Sequence, residues 1–177
     1  MNTYLYNGEV VTASNKKSIL KNKRVVATDK YHLEELIDEA IEKYGYECDL
    51  NFIDVSHVKS MDYLFYMSNF NGDISNWDVS KVNNMNGMFE YSSFNKDISR
   101  WDVSNVGTMY RMVDGSKFNG DISNWNVSKV WDMSSMFNNS KFNGDLSKWL
   151  PMMKKNGIDF NNLGLDINDD TWNDIEV

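Results

Sequence analysis

Large apolar residues return along this chain at one fixed step. Trp77, Trp101, Trp125 and Trp149 lie 24 residues apart, as do Phe70, Phe94, Phe118 and Phe142. The same step joins Ile74, Ile98, Ile122 and Leu146, then the valines starting at Val79 and Val82, then the methionines starting at Met85 and Met88. One step earlier come Leu50, Ile53, Val55, Val58, Met61, Leu64 and Phe65. Self-similarity at a fixed period of this size is the mark of a repeat architecture. Four units occupy about 46–141, and a fifth opens at Phe142 and stops near Trp149.

Within a unit, Ile74-x-x-Trp77-x-Val79-x-x-Val82 has leucine-rich-repeat spacing, with Trp in a leucine slot and Val in the asparagine slot. Trp77 and Val79 alternate across Asp78, which predicts a short strand. Met85, Met88 and Phe89 stand at i, i+3 and i+4, which predicts one or two helical turns packed on it. Asn71-Gly72, Asn119-Gly120 and Asn143-Gly144 supply tight turns before the strand, because Asn and Gly adopt positive φ cheaply. Lys96 takes the glycine position in the second unit of this series. The fold class that follows is α/β: a leucine-rich-repeat-like, right-handed solenoid of 24-residue coils, each a short parallel strand plus a short helix, with a helical N-cap. One coil buries too little apolar surface to offset the ordering of its own backbone, so neighbours must close its two open faces.

Flanking segments read as caps. Asp29, or Thr28, can cap a helix over 29–45 whose apolar stripe is Leu33, Leu36, Ile37, Ala40 and Ile41, ending at Gly45. Residues 1–28 carry a net charge of +4 and a hairpin signal, Thr3–Tyr6, Asn7-Gly8, Glu9–Thr12, with Val25–Ala27 as a further strand candidate. The solenoid takes 46–149, and 150–177 forms a C-terminal cap in which Pro151 breaks the pattern. Ile158, Phe160, Leu163, Leu165, Ile167 and Trp172 are its closing apolar residues.

The string Phe118-Asn-Gly-Asp-Ile-Ser-Asn-Trp-Asn-Val-Ser-Lys-Val130, continuing to Met133-Ser-Ser-Met-Phe137, resembles the BspA-like surface-protein repeat of bacteria and mycoplasmas. The resemblance covers about 46–149. It implies a non-catalytic protein that binds host or neighbouring-cell proteins, and it brings no catalytic residues with it. Members are mostly surface or lipid-anchored; members without signals also occur in phage and prophage genomes.

Composition narrows the function further. The 177 residues include 24 Asn, 18 Ser and 11 Met but a single proline and a single cysteine, Cys48, so no internal disulfide is available. The net charge of −8 argues against direct nucleic-acid binding through bulk electrostatics. No stretch approaches the ~20 apolar residues of a spanning helix, and the first 20 residues lack the apolar centre of a secretory signal. His32, His57 and Cys48 are too scattered to start a zinc site, and no phosphate-cradling loop or nucleophile elbow is present. We expect neither enzyme activity nor a cofactor.

The Trp ladder fills slots that must be apolar, so it reads as core. Asp73, Asp97, Asp121 and Asp145 form one ladder, and Asp54, Asp78 and Asp102 another, completed by Asn126. Turn bonding to nearby backbone N–H groups is the reading preferred over calcium, because no calcium-loop spacing is met. The variable slots carry the recognition candidates: Tyr63, Tyr66, Tyr91, Tyr110, Arg111 and Trp131, with Phe52 and Arg100 weaker. The expected function is a protein-interaction module of adhesion or host-interaction type. The second reading is an intracellular acidic inhibitor, of phage type, acting on a host defence or nucleic-acid-handling protein. Its motive is charge, with a net −7 in 31–69.

Overall fold

A computed structural model describes residues 24–165 and the backbone of two short strands, β1 (Tyr4–Tyr6) and β2 (Glu9–Val11). These strands pair antiparallel with Tyr4 opposite Val11 and Tyr6 opposite Glu9. Thr3, the Asn7-Gly8 turn, Thr12, Ile167 and Trp172 lie outside the described residues. Strand β3 (Val25–Val26) pairs parallel with β4 (Ile53–Asp54). Between them runs helix α1 (Lys30–Tyr44). Asp29 caps it by accepting the His32 N–H at 3.0 Å, and Gly45 closes it at φ 84° with its N–H on the Ile41 carbonyl. Leu33, Ile37 and Ala40 bury its inner stripe.

Between Asp54 and Ser147 the chain contains no helix and no strand beyond isolated bridges. The expected strand at Trp77–Val79 is an irregular segment between turns at 75–76 and 80–81, and turns over 86–91 take the place of the expected helix at Met85–Phe89. The reason lies in where the N–H groups go. Trp77 N closes on the Ile74 carbonyl of its own unit at 3.1 Å, which removes it from any strand ladder. The N–H groups of Met85, Gly87, Phe89 and Tyr91 donate sideways to Thr108, Tyr110, Met112 and Asp114 of the next unit at 2.7–3.0 Å. Those of Met88, Glu90 and Ser92 turn back onto Met85, Gly87 and Phe89. An α-helix needs every one of these donors for its own i→i−4 bonds, so the lateral bonds exclude it. Parallel bridges at Ser60, Asn84, Thr108 and Asp132 continue the same contact from unit to unit.

The interior is built from the recurring residues. Phe70, Phe94, Phe118 and Phe142 stack at 6.2–6.5 Å with their planes within 9°. Trp77, Trp101, Trp125 and Trp149 are at most 4% exposed. Three of the indoles also reach back one unit: Nε1 of Trp77, Trp101 and Trp125 donates to the carbonyls of Leu50, Ile74 and Ile98 at 3.0–3.2 Å. Buried Trp is retained where its N–H finds such a partner.

The far end substitutes for a missing unit. A 3₁₀ turn (Ser147–Trp149) runs into helix α2 (Leu150–Lys155). Asn156 Nδ2 then donates to the Ser128 and Val130 carbonyls at 2.9 and 2.8 Å. The carbonyls of Asn162 and Leu163 receive the N–H groups of Ser135 and Phe137. Phe160 and Leu163 are buried, and Ile158 and Leu165 pack against the core partly exposed. Among the described residues no helix is long and apolar enough to cross a membrane.

Candidate partner-binding surface

The arm of each unit that donates sideways alternates its backbone conformation, and two positions in it are left-handed. They are Tyr63 and Met67, Gly87 and Tyr91, Arg111 and Gly115, and Ser135 and Asn139, at φ 52–63°. The two positions stand four residues apart in every unit and recur at the 24-residue step. A side chain in this conformation costs roughly 1–2 kcal/mol, which glycine avoids. Only two of the eight positions are nevertheless glycine.

Those two glycines explain how the tyrosines are held. A Cβ on Gly87 would lie 2.3 Å from Tyr63 Cε1, and one on Gly115 would lie 2.3 Å from Tyr91 Cδ1. Each ring thus lies close against the bare backbone of the following unit. Tyr66 stands edge-on to Tyr63 at 5.8 Å and to Tyr91 at 6.4 Å. The structure therefore joins Tyr63, Tyr66 and Tyr91 in one patch, each 45–47% exposed. Met67, 65% exposed, extends it. Met67 was not among the sequence candidates; its signal was its position one 24-residue step before Tyr91.

A hollow of about 330 Å³ adjoins this patch, lined by Ile37, Asp38 and Ile41 of α1 and by Tyr46, Tyr66 and Met67. Asp38 sits at its rim, exposed. A larger hollow of about 560 Å³, mostly apolar, lies at the other end between Leu150, Met153, Lys154, Ile158 and Phe160.

Arg111 and Tyr110 form a separate pair, with the guanidinium carbon 5.3 Å from the ring centre. Arg111 is also bound inward: Nη1 lies 3.3 Å from Glu90 Oε1 and Nε 3.7 Å from Asp114 Oδ2. Both carboxylates are nearly inaccessible, and a lone buried charge is costly unless paired. Tyr110 foremost, then Glu90 and Asp114, hold the guanidinium more firmly protonated than usual, against the opposing effect of desolvation. Arg111 is thus the counter-ion of a buried acidic pair, which reading it as an exposed slot did not capture. Arg100 is engaged too, donating to Asn76 Oδ1 at 3.0 Å, and Phe52 packs partly buried against the core.

Trp131 stands apart, 69% exposed. Its backbone N–H donates to the Gly107 carbonyl at 2.8 Å, and its indole covers Gly107, where a Cβ would meet Nε1 at 3.0 Å. No ring contact joins it to the tyrosine patch among the described residues.

The aspartate ladders are turn elements. Asp73, Asp97, Asp121 and Asp145 accept the N–H of Ser75, Ser99, Ser123 and Ser147 at 2.8–2.9 Å. Asp54, Asp78, Asp102 and Asn126 do the same for Ser56, Ser80, Ser104 and Ser128. Bonds from Ser99 and Ser123 hold the Asp97 and Asp121 carboxyls below the usual range. Among the described residues no three His, Cys, Asp or Glu side chains converge as a metal-holding group. Cys48 is buried and its thiol is pushed up by that burial, while the exposed His57 has Nδ1 3.2 Å from Ser56 Oγ.

No curated protein and no solved structure matches the chain. A family model does, over residues 33–149, from the inner face of α1 to the last tryptophan of the ladder. The chain belongs to the family described as Mycoplasma protein of unknown function, DUF285.

Proposed function

We propose that this chain is a non-catalytic protein-binding module, a BspA-like, leucine-rich-repeat-like solenoid that seats a partner on Tyr63, Tyr66, Tyr91 and Met67. One observation carries the reading. Bulky side chains occupy left-handed positions that glycine would fill more cheaply, and Tyr63, Met67 and Tyr91 among them are exposed. Strained backbone of this kind concentrates at functional surfaces. The rings already lie fixed on Gly87 and Gly115, so a partner need not immobilise them. Tyr is moreover a preferred anchor of interfaces. Tyr110, Arg111 and Trp131 are, in this reading, further contact residues apart from that patch.

The test is a Tyr63→Gly/Tyr91→Gly variant, compared with the wild type for binding to a purified partner obtained by affinity capture. Loss of about 30-fold or more in affinity, with an unchanged or higher melting temperature, is expected, since anchors of this type contribute ~2 kcal/mol or more. Unchanged affinity contradicts the proposal.

A second reading, an intracellular acidic inhibitor of a host defence or nucleic-acid-handling protein, is favoured by the outer face of α1. Glu35, Asp38, Glu39 and Glu42 are without an ion-pair partner among the described residues. An interface of that kind weakens steeply as salt rises, whereas one centred on tyrosine does not.

A further inference from the structure

We infer that Asn143 is the dominant site of spontaneous deamidation in the folded chain, and that the asparagine ladder protects its counterparts. An Asn-Gly pair reacts when the glycine backbone nitrogen, losing its proton, attacks the asparagine Cγ. The N–Cγ bond forms, the Cγ–Nδ2 bond breaks, ammonia leaves and a succinimide remains. Water then opens the ring to aspartate or isoaspartate, with no oxidant or cofactor required. The side-chain amide must be free to swing onto the following nitrogen, and that N–H must be free to lose its proton.

Five Asn-Gly pairs lie within the described residues, at 71–72, 86–87, 119–120, 143–144 and 156–157. Four are held. Asn71 Oδ1 accepts the Asn95 N–H at 2.9 Å, while its Nδ2 donates to Glu47 at 3.3 Å. Asn86 Oδ1 accepts from the Tyr110 N–H at 2.9 Å, and the Gly87 N–H is committed to the Tyr110 carbonyl at 2.8 Å. Asn119 Oδ1 accepts the Asn143 N–H at 3.0 Å. Asn156 Nδ2 donates to two carbonyls, and the Gly157 N–H donates to Lys154 O at 3.3 Å.

Asn143 is where the ladder stops. Each earlier member has its Oδ1 held by the backbone N–H of its equivalent in the next unit. After Trp149 the chain turns into α2, and among the described residues no equivalent N–H follows Asn143. Neither its side chain nor the Gly144 N–H has a hydrogen-bond partner among the described residues, and Asn143 is exposed. The product is a new carboxylate beside Asp145 at the exposed end of the array.

The test is ageing of the folded full chain in mildly alkaline buffer, followed by peptide mapping and isoaspartyl labelling of the five pairs. Asn143 should convert at least about fivefold faster than any of the other four, the factor that breaking one ordinary hydrogen bond imposes. In concentrated urea that preference should collapse, and Asn143→Gln should remove the fast phase from the folded chain. Conversion of Asn71 or Asn119 as fast as Asn143 in the folded state would overturn the inference. So would persistence of the preference in urea.

Discussion

At the scale of single residues, the four tryptophans of the ladder are equally buried but differently bonded. Trp101 Nε1 donates to the Ile74 carbonyl at 3.2 Å, whereas Trp149 Nε1 is buried without a partner among the described residues. Trp101→Phe therefore removes one of the two hydrogen bonds that the Ile74 carbonyl accepts, the other coming from the Trp77 N–H, and Trp149→Phe removes an unpaired donor. Urea denaturation should show the first to be costlier by about 1–2 kcal/mol, since both lose similar ring volume. Equal losses would mean that the indole bonds contribute nothing. Met67, 65% exposed at φ 53°, gives the complementary case. Met67→Gly should raise stability by about 0.5–1 kcal/mol, because relief of left-handed strain exceeds the added chain entropy. A fall in melting temperature would show that Met67 is a packing residue instead. The burial of the tryptophans was legible from their spacing alone. The left-handed positions were not, because Tyr63, Met67, Arg111 and Ser135 are residues that sequence rules never assign to positive φ.

At the scale of the element, the same spacing misled. Apolar residues at i, i+3 and i+4 fit a helix, yet they equally fit a run of turns in which every second N–H leaves for the next unit. Met85, Met88 and Phe89 are buried as a helix would bury them, but by a backbone that propensity rules do not describe. Helix α1 was legible because cap, stripe and stop all lie within its own segment. The Asp-Ser turns were legible for the same local reason. Their chemistry sets the acid response. Serine bonds to Asp97, Asp102, Asp121 and Asp145 hold those carboxyls below the usual carboxylate range, and the Ser56 bonds do so for Asp54. A depressed folded-state pKa contributes stability that is present above the unfolded value and lost as pH falls through the folded one. Thermal melts should thus show no loss from this source above pH ~5 and a progressive loss below pH ~4. Replacing Asp97 and Asp121 by Asn, which keeps the acceptor and removes the titration, should flatten that loss. An unaltered acid limb would place the titration elsewhere.

At the scale of the whole molecule, the caps and the surface follow from the step between units. The asparagine ladder, the phenylalanine stack and the lateral backbone bonds all join residues 23–25 apart, so each unit templates the next. The tyrosine patch exists only because Tyr63 and Tyr91 find glycine at the equivalent place one unit on. That pairing was present in the sequence, but it needed the direction in which the rings lean to become visible. The C-terminal cap was only partly legible, since Asn156, Asn162 and Leu163 replace a unit through isolated contacts rather than through a repeated pattern.

The most direct test is removal of one whole unit, residues 118–141, measured by cooperative unfolding against a control that removes 118–140. In the first variant Phe94 meets Phe142, Trp101 meets Trp149, and Asn95 Oδ1 meets the Asn143 N–H. It should therefore unfold in a single sharp transition and keep the Tyr63–Tyr66–Tyr91 surface. The control shifts every one of those partners by one residue and should lose cooperativity. Two sharp transitions, or none in either variant, would contradict the account.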